Sequence, residues 1–73
     1  MSKSVYSKEY KQIIEKLKKA RIEFGLKQEE VAIKLKKPQS YVSKIENGER
    51  RVDAAELKEL AKIYKKEVSY FVE

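Results

Sequence analysis

Cysteine and histidine are both absent from these 73 residues, and that double absence removes several classes of function at once. Disulfide staples are excluded, as are the usual cysteine–histidine zinc sites, thiol nucleophiles and imidazole general bases. Glycine occurs only twice, so there is no glycine-rich loop to cradle a phosphate. No apolar run is long enough to span a bilayer, and the opening MSKSVYSKEY lacks the apolar core of a secretory signal. Strand alternation, internal repeats and low-complexity linkers are missing as well. The expectation is a cytoplasmic single domain that is not an enzyme and takes no cofactor, metal or small-molecule substrate. A chain this short sits near the size where one core is only marginally sufficient.

What is present is charge. The net charge is +6 and 41% of the residues are charged, a balance that fits a polyanionic partner but also serves solubility in small helical proteins. Distribution sharpens the choice. From Lys34 to Arg51 the basic residues Lys34, Lys36, Lys37, Lys44, Arg50 and Arg51 face only Glu46 and Glu49.

Periodicity gives an all-α fold, a compact bundle of five short helices. Tyr10, Ile13, Ile14, Leu17, Ala20 and Phe24 recur at three- and four-residue steps, predicting an amphipathic helix over Lys8–Phe24 that Gly25 ends in the left-handed conformation. Before it, residues 1–7 read as a flexible N-terminal segment, leaving 8–73 as the folded domain. A second helix over Gln28–Leu35 buries Val31, Ala32 and Leu35, with Glu29 and Glu30 favouring its positive end. Pro38 suits the first position of a third helix running to Glu46, which buries Val42 and Ile45 and stops at Asn47–Gly48. Asp53 and Glu56 form a capping-box pattern, with Val52 and Leu57 as its hydrophobic staple. They start a fourth helix whose buried face is Leu57, Leu60, Ala61 and Tyr64, ending near Lys65. Val68, Phe71 and Val72 mark a short fifth.

The second and third helices have the layout of a helix-turn-helix. Their close crossing needs a small residue, supplied by Ala32, and apolar side chains returned to the core, supplied by Val42 and Ile45. The outer face of the third helix then carries Gln39, Ser40 and Lys44 within two turns on one side. Gln pairs bidentately with adenine, Ser donates or accepts, and Lys favours the acceptors of guanine. Outside this layout the same three would read as ordinary exposed polar residues.

The LKKAR segment with Arg21, the GLKQEEVA segment with Gln28, and PQSYVSKIENGER from Pro38 to Arg50 together carry a family resemblance. The chain resembles the lambda-repressor-like helix-turn-helix proteins, the xenobiotic response element family of bacterial and phage regulators, over about Leu17 to Phe71. The resemblance implies that Gln39, Ser40 and Lys44 contact bases and that Gln28 contacts the phosphate backbone. Asn47, Arg50 and Arg51 align with the loop that meets the backbone, and Tyr41 and Ser43 flank the reading face within reach of phosphate or a thymine methyl. It also implies a partly buried ion pair between Arg21 and Glu46 with a structural role. Two positions depart from the family pattern: Lys36 stands where the turn usually has glycine, and Lys27 stands where the second helix usually has a Ser or Thr cap.

The function these features imply is sequence-specific transcriptional regulation, double-stranded DNA being read in the major groove by the third helix of a homodimer on a pseudo-palindromic site. Tyr64, Tyr70, Phe71 and Val72 either form part of that dimer surface or close the core of one chain. The competing reading is a protein-binding adaptor or antitoxin-type module whose main partner is another protein. A third is non-specific nucleic-acid binding, which needs charge but no particular side chain at Gln39.

Overall fold

The computed structural model describes residues 7–73, so most of the expected N-terminal segment lies outside the described residues. Ser7 is the exception, because it is the residue that caps the first helix. Its hydroxyl accepts a hydrogen bond from the Tyr10 amide at 3.1 Å and caps α1, Lys8–Phe24. Four further helices follow, α2 over Gln28–Leu35, α3 over Gln39–Glu46, α4 over Ala54–Ile63 and α5 over Val68–Val72. The described residues contain no strand.

Four of the helices end in the same way. In each, one residue turns left-handed, its amide reaches the carbonyl three residues back, and the next amide reaches five back. Gly25 (φ 85°) and Leu26 do this for α1, donating to Ile22 and Arg21 at 3.0 and 3.1 Å. Gly48 (φ 76°) and Glu49 repeat it after α3, donating to Ile45 and Lys44 at 3.1 and 2.8 Å. Lysines occupy the position in the other two, Lys36 (φ 59°) after α2 and Lys65 (φ 60°) after α4. The expected turn at Lys36 is therefore present without glycine. Lys37 donates to Ala32 at 2.9 Å and Lys66 to Ala61 at 2.9 Å, closing both turns.

Left-handed backbone costs a non-glycine residue about 1–2 kcal/mol, whereas glycine costs roughly 0.5–1 kcal/mol in extra chain entropy. These oppose each other, so Lys36→Gly leaves the chain no less stable in a chemical denaturation experiment. A clear loss of stability would show that the lysine side chain itself holds the turn.

Two helix boundaries differ from the expected ones. Pro38 is the residue before α3 rather than its first member: its ψ of 157° is extended, and Gln39 takes the first helical position. The turn closed by Lys37 delivers Pro38 in that conformation, and proline gives up no amide hydrogen bond there. Helix α4 ends at Ile63 with Tyr64 as its cap, two residues early, because Lys65 turns left-handed. The start of α4 is as expected, with Asp53 Oδ1 accepting from the Glu56 amide at 2.8 Å and Glu56 Oε1 accepting from the Asp53 amide at 2.9 Å. Only half of that arrangement exists at α2. Glu30 Oε1 accepts from the Lys27 amide at 2.7 Å, but an ammonium group has no lone pair to return.

The core draws on every helix. Tyr10, Ile14, Leu17 and Ala20 from α1 meet Val31 and Ala32 from α2, Val42 and Ile45 from α3, Leu57, Leu60 and Ala61 from α4, Tyr64 beside it and Phe71 from α5. Leu35 is half-buried against this cluster. Ala32 is 2% exposed, small enough for α2 and α3 to cross closely. Tyr64 and Phe71, at 2% and 1% exposure, close the core of one chain. Phe24 departs from its expected place on the buried stripe, since it is 45% exposed. It is the last residue of α1, and the chain turns away at Gly25 before another element covers it. No helix among the described residues is long and apolar enough to cross a membrane.

Candidate nucleic-acid interface

Helix α3 turns Val42 and Ile45 into the core, which fixes what its opposite side shows. Gln39, Ser40 and Lys44 are exposed on that side, Asn47 is exposed just past its end, and Ser43 is half-buried between them. Positions 39, 40, 43, 44 and 47 follow four-residue steps, so they share one strip of surface. The structure thus brings together the residues expected to face bases. Lys34, Lys36, Lys37 and Arg51 are exposed on the neighbouring turns.

A buried carboxylate holds the inner end of α3. Glu46 Oε2 accepts from Arg21 Nε at 2.7 Å, and Glu46 Oε1 accepts from Arg21 Nη2 at 3.1 Å and from Gln28 Nε2 at 2.9 Å. The side chains of Arg21 and Glu46 are 11% and 3% exposed. Arg21 Nη1 also donates to the Leu26 carbonyl at 2.8 Å, tying down the end of α1. The hydrogen bond to Glu46 is the largest influence holding the Arg21 guanidinium above its ordinary pKa. The ion pair implied by the resemblance is therefore present, and it includes a third member. Gln28 anchors its amide nitrogen on Glu46 and turns its oxygen toward Gln39, whose Nε2 donates at 3.4 Å. An amide nitrogen carries two hydrogens, so one N–H of Gln28 lies outside this network. The first side chains of α2 and α3 thus meet at a long contact on the exposed surface.

The outer flank of α3 is held differently. Tyr41, half-buried, has the Arg50 guanidinium 4.5 Å and the Lys37 ammonium 5.3 Å from its ring centroid. Arg50 in turn grips Glu56 with two hydrogen bonds, of 3.1 and 2.9 Å. Burial, then a hydrogen bond to Glu56, push the Tyr41 hydroxyl up to about 12. The Arg50 hydrogen bonds lead the influences that pull the Glu56 carboxyl down to about 2. Arg51 stacks on Tyr10, 4.8 Å from its centroid, and the Tyr10 hydroxyl accepts from the Val52 amide at 2.7 Å. Tyr41 and Arg50 are thus occupied within the fold, while Gln39, Ser40 and Lys44 face outward. In the sequence Glu56 is marked only as part of a capping box. Nothing in the spacing of Tyr41, Arg50 and Glu56 signals that the Glu56 carboxylate holds Arg50 over the Tyr41 ring.

A family model described as helix-turn-helix matches residues 17–71, from the middle of α1 to the buried Phe71. No curated protein and no solved structure matches the chain.

Proposed function

Because the chain belongs to the lambda-repressor-like helix-turn-helix family of DNA-binding regulatory domains, we propose that it reads a specific DNA sequence in the major groove with α3. The observation that carries this reading is the pairing of a core-anchored α3 with an outward strip of Gln39, Ser40 and Lys44. Side chains on an anchored helix lose less freedom when they meet a base edge than side chains on a loop. Gln39 is the foremost base reader, at the first position of α3. Ser40 and Lys44 read neighbouring positions, and Gln28, Ser43, Asn47 and Arg51 meet the phosphate backbone. Phosphate contacts set the register and base contacts supply the discrimination.

A two-fold dimer would present two copies of α3 about 34 Å apart, one turn of DNA, on a pseudo-palindromic operator. Gene regulation, as repressor or otherwise, would follow from occupying that site. A second reading, an adaptor or antitoxin-type module, draws support from the exposed apolar side chains Ile22, Phe24, Ile33 and Val72. Under that reading, substitution of Gln39, Ser40 and Lys44 leaves the main interaction untouched.

Gln39→Ala separates direct readout from charge-driven binding. The variant is expected to lose about 1–3 kcal/mol of discrimination at one base pair of each half-site, with non-specific affinity and its salt dependence retained. Competition binding against single-base operator variants measures this. Unchanged base preference in Gln39→Ala would remove that side chain from the readout.

A further inference from the structure

One carboxylate gathers three parts of the fold beside α3. Glu56 Oε1 accepts from the Asp53 amide at 2.9 Å and from Arg50 Nη1 at 3.1 Å, while Oε2 accepts from Arg50 Nη2 at 2.9 Å. Tyr41 joins this group through its ring, whose centroid lies 4.5 Å from the Arg50 guanidinium. Arg50 Nη1 also donates to the Arg51 carbonyl at 2.9 Å. Helix α3, the loop after it and the first turn of α4 therefore meet at the Arg50–Glu56 pair. An isolated exposed ion pair contributes little, but a bidentate pair inside a network with a stacked partner is the exception.

We propose that Glu56 is a positioning residue of the DNA interface: through Arg50 and Tyr41 it fixes the α3–α4 loop against the reading helix, and Arg50 serves this clamp rather than a phosphate. The inference rests on the DNA-binding reading above. Three of the five guanidinium N–H groups are used inside the fold, two on the carboxylate and one on the Arg51 carbonyl, and the charge of Arg50 is matched by that of Glu56. Little is left to displace counterions from a phosphate. The clamp complements the one at Glu46, so α3 is fixed from the α1–α2 side and from the α4 side by separate carboxylates.

The sign of one substitution distinguishes the two roles. A phosphate-binding Arg50 would be released by Glu56→Gln, and loss of a nearby negative charge would tighten DNA binding. A clamp would be broken by the same change, and binding would weaken. The experiment is a double-mutant cycle of Arg50→Gln and Glu56→Gln, read as affinity for the operator enriched from a random duplex library, over a salt series. Each single variant is expected to bind roughly tenfold more weakly and the double variant no worse than either, as for residues acting within one network. The salt slope stays at the wild-type value. Tighter binding by Glu56→Gln, multiplying losses in the double variant, or a slope reduced by about one in Arg50→Gln overturns the proposal.

Tyr41→Leu keeps apolar bulk at a half-buried position and removes only the ring on which Arg50 stacks, which guards against a variant that fails to fold. It is expected to weaken binding in the wild-type background and to have no effect in Glu56→Gln. Equal effects in both backgrounds contradict the clamp. Wild-type protein that retains no duplex contradicts the regulator reading itself, a failure distinct from all of these.

Discussion

Arg21→Met is expected to lower the stability of the chain by about 3–5 kcal/mol, the cost of removing one partner from a buried ion pair. Methionine preserves most of the length and apolar bulk of the arginine stem, so what is lost is charge and hydrogen bonding. Glu46, with its side chain 3% exposed, then keeps only the Gln28 amide, and the Leu26 carbonyl loses its donor. In a domain of this size about 1 kcal/mol moves the melting midpoint by roughly 4–8 °C, so thermal denaturation should show a fall of well over ten degrees. The double variant Arg21→Met/Glu46→Met is expected to recover most of it, because replacing a whole buried pair with apolar groups is often neutral or stabilising. A single variant with a near wild-type midpoint would show that water reaches Glu46 and that the pair is not a structural anchor. Loss of the anchor also has a functional side. Glu46 holds the inner end of α3 and orients Gln28, so base discrimination should weaken in any Glu46 variant that still folds.

Phe71→Ala is the second large effect, with an expected loss of about 3–5 kcal/mol for truncating a buried aromatic ring. Helix α5 spans only Val68–Val72, too short to hold itself together without tertiary packing. Phe71 is its buried residue, 1% exposed, and Tyr70 meets it edge-on with ring centroids 5.0 Å apart. Lys16 Nζ adds a hydrogen bond to the Glu73 carbonyl at 3.2 Å and lies 5.7 Å from the Tyr70 ring centroid. Since Phe71 packs inside one chain, its loss should be the same at every protein concentration. Denaturation across a hundredfold dilution series tests this. A loss that grows on dilution would place Phe71 in a subunit interface instead.

The fold was largely legible because its helices are short, strongly periodic and individually punctuated. The Tyr10–Ile14–Leu17–Ala20 stripe, the Asp53–Glu56 box and Gly25 each state a local rule that tertiary packing obeys. Boundaries slipped where a rule admits two outcomes. Proline fits either the residue before a helix or its first member, and the turn closed by Lys37 decided for the former. Lys65 carries no mark of a left-handed residue, so the early end of α4 had no signal in the sequence. Phe24 continues the apolar period of α1, but period alone does not say whether a neighbour covers the last turn.

The candidate site divides along similar lines. The exposure of Gln39, Ser40 and Lys44 follows from the inward positions of Val42 and Ile45 on the same helix, which periodicity supplies. The internal commitments of Arg50 and Tyr41 do not. They depend on how the loop after α3 leads into α4, which brings the Glu56 carboxylate to Arg50 and lays Arg50 over the Tyr41 ring. Charge composition marks Arg50 as a cation near the interface; only the three-dimensional arrangement shows that a carboxylate holds it.

Selection of duplexes from a random library by the purified chain, at near-physiological salt, tests sequence-specific recognition most directly. Enrichment of an inverted repeat with half-sites about one helical turn apart is the predicted result. Retention of DNA without enrichment would leave only the electrostatic contribution, and no retention at all would contradict DNA recognition by α3.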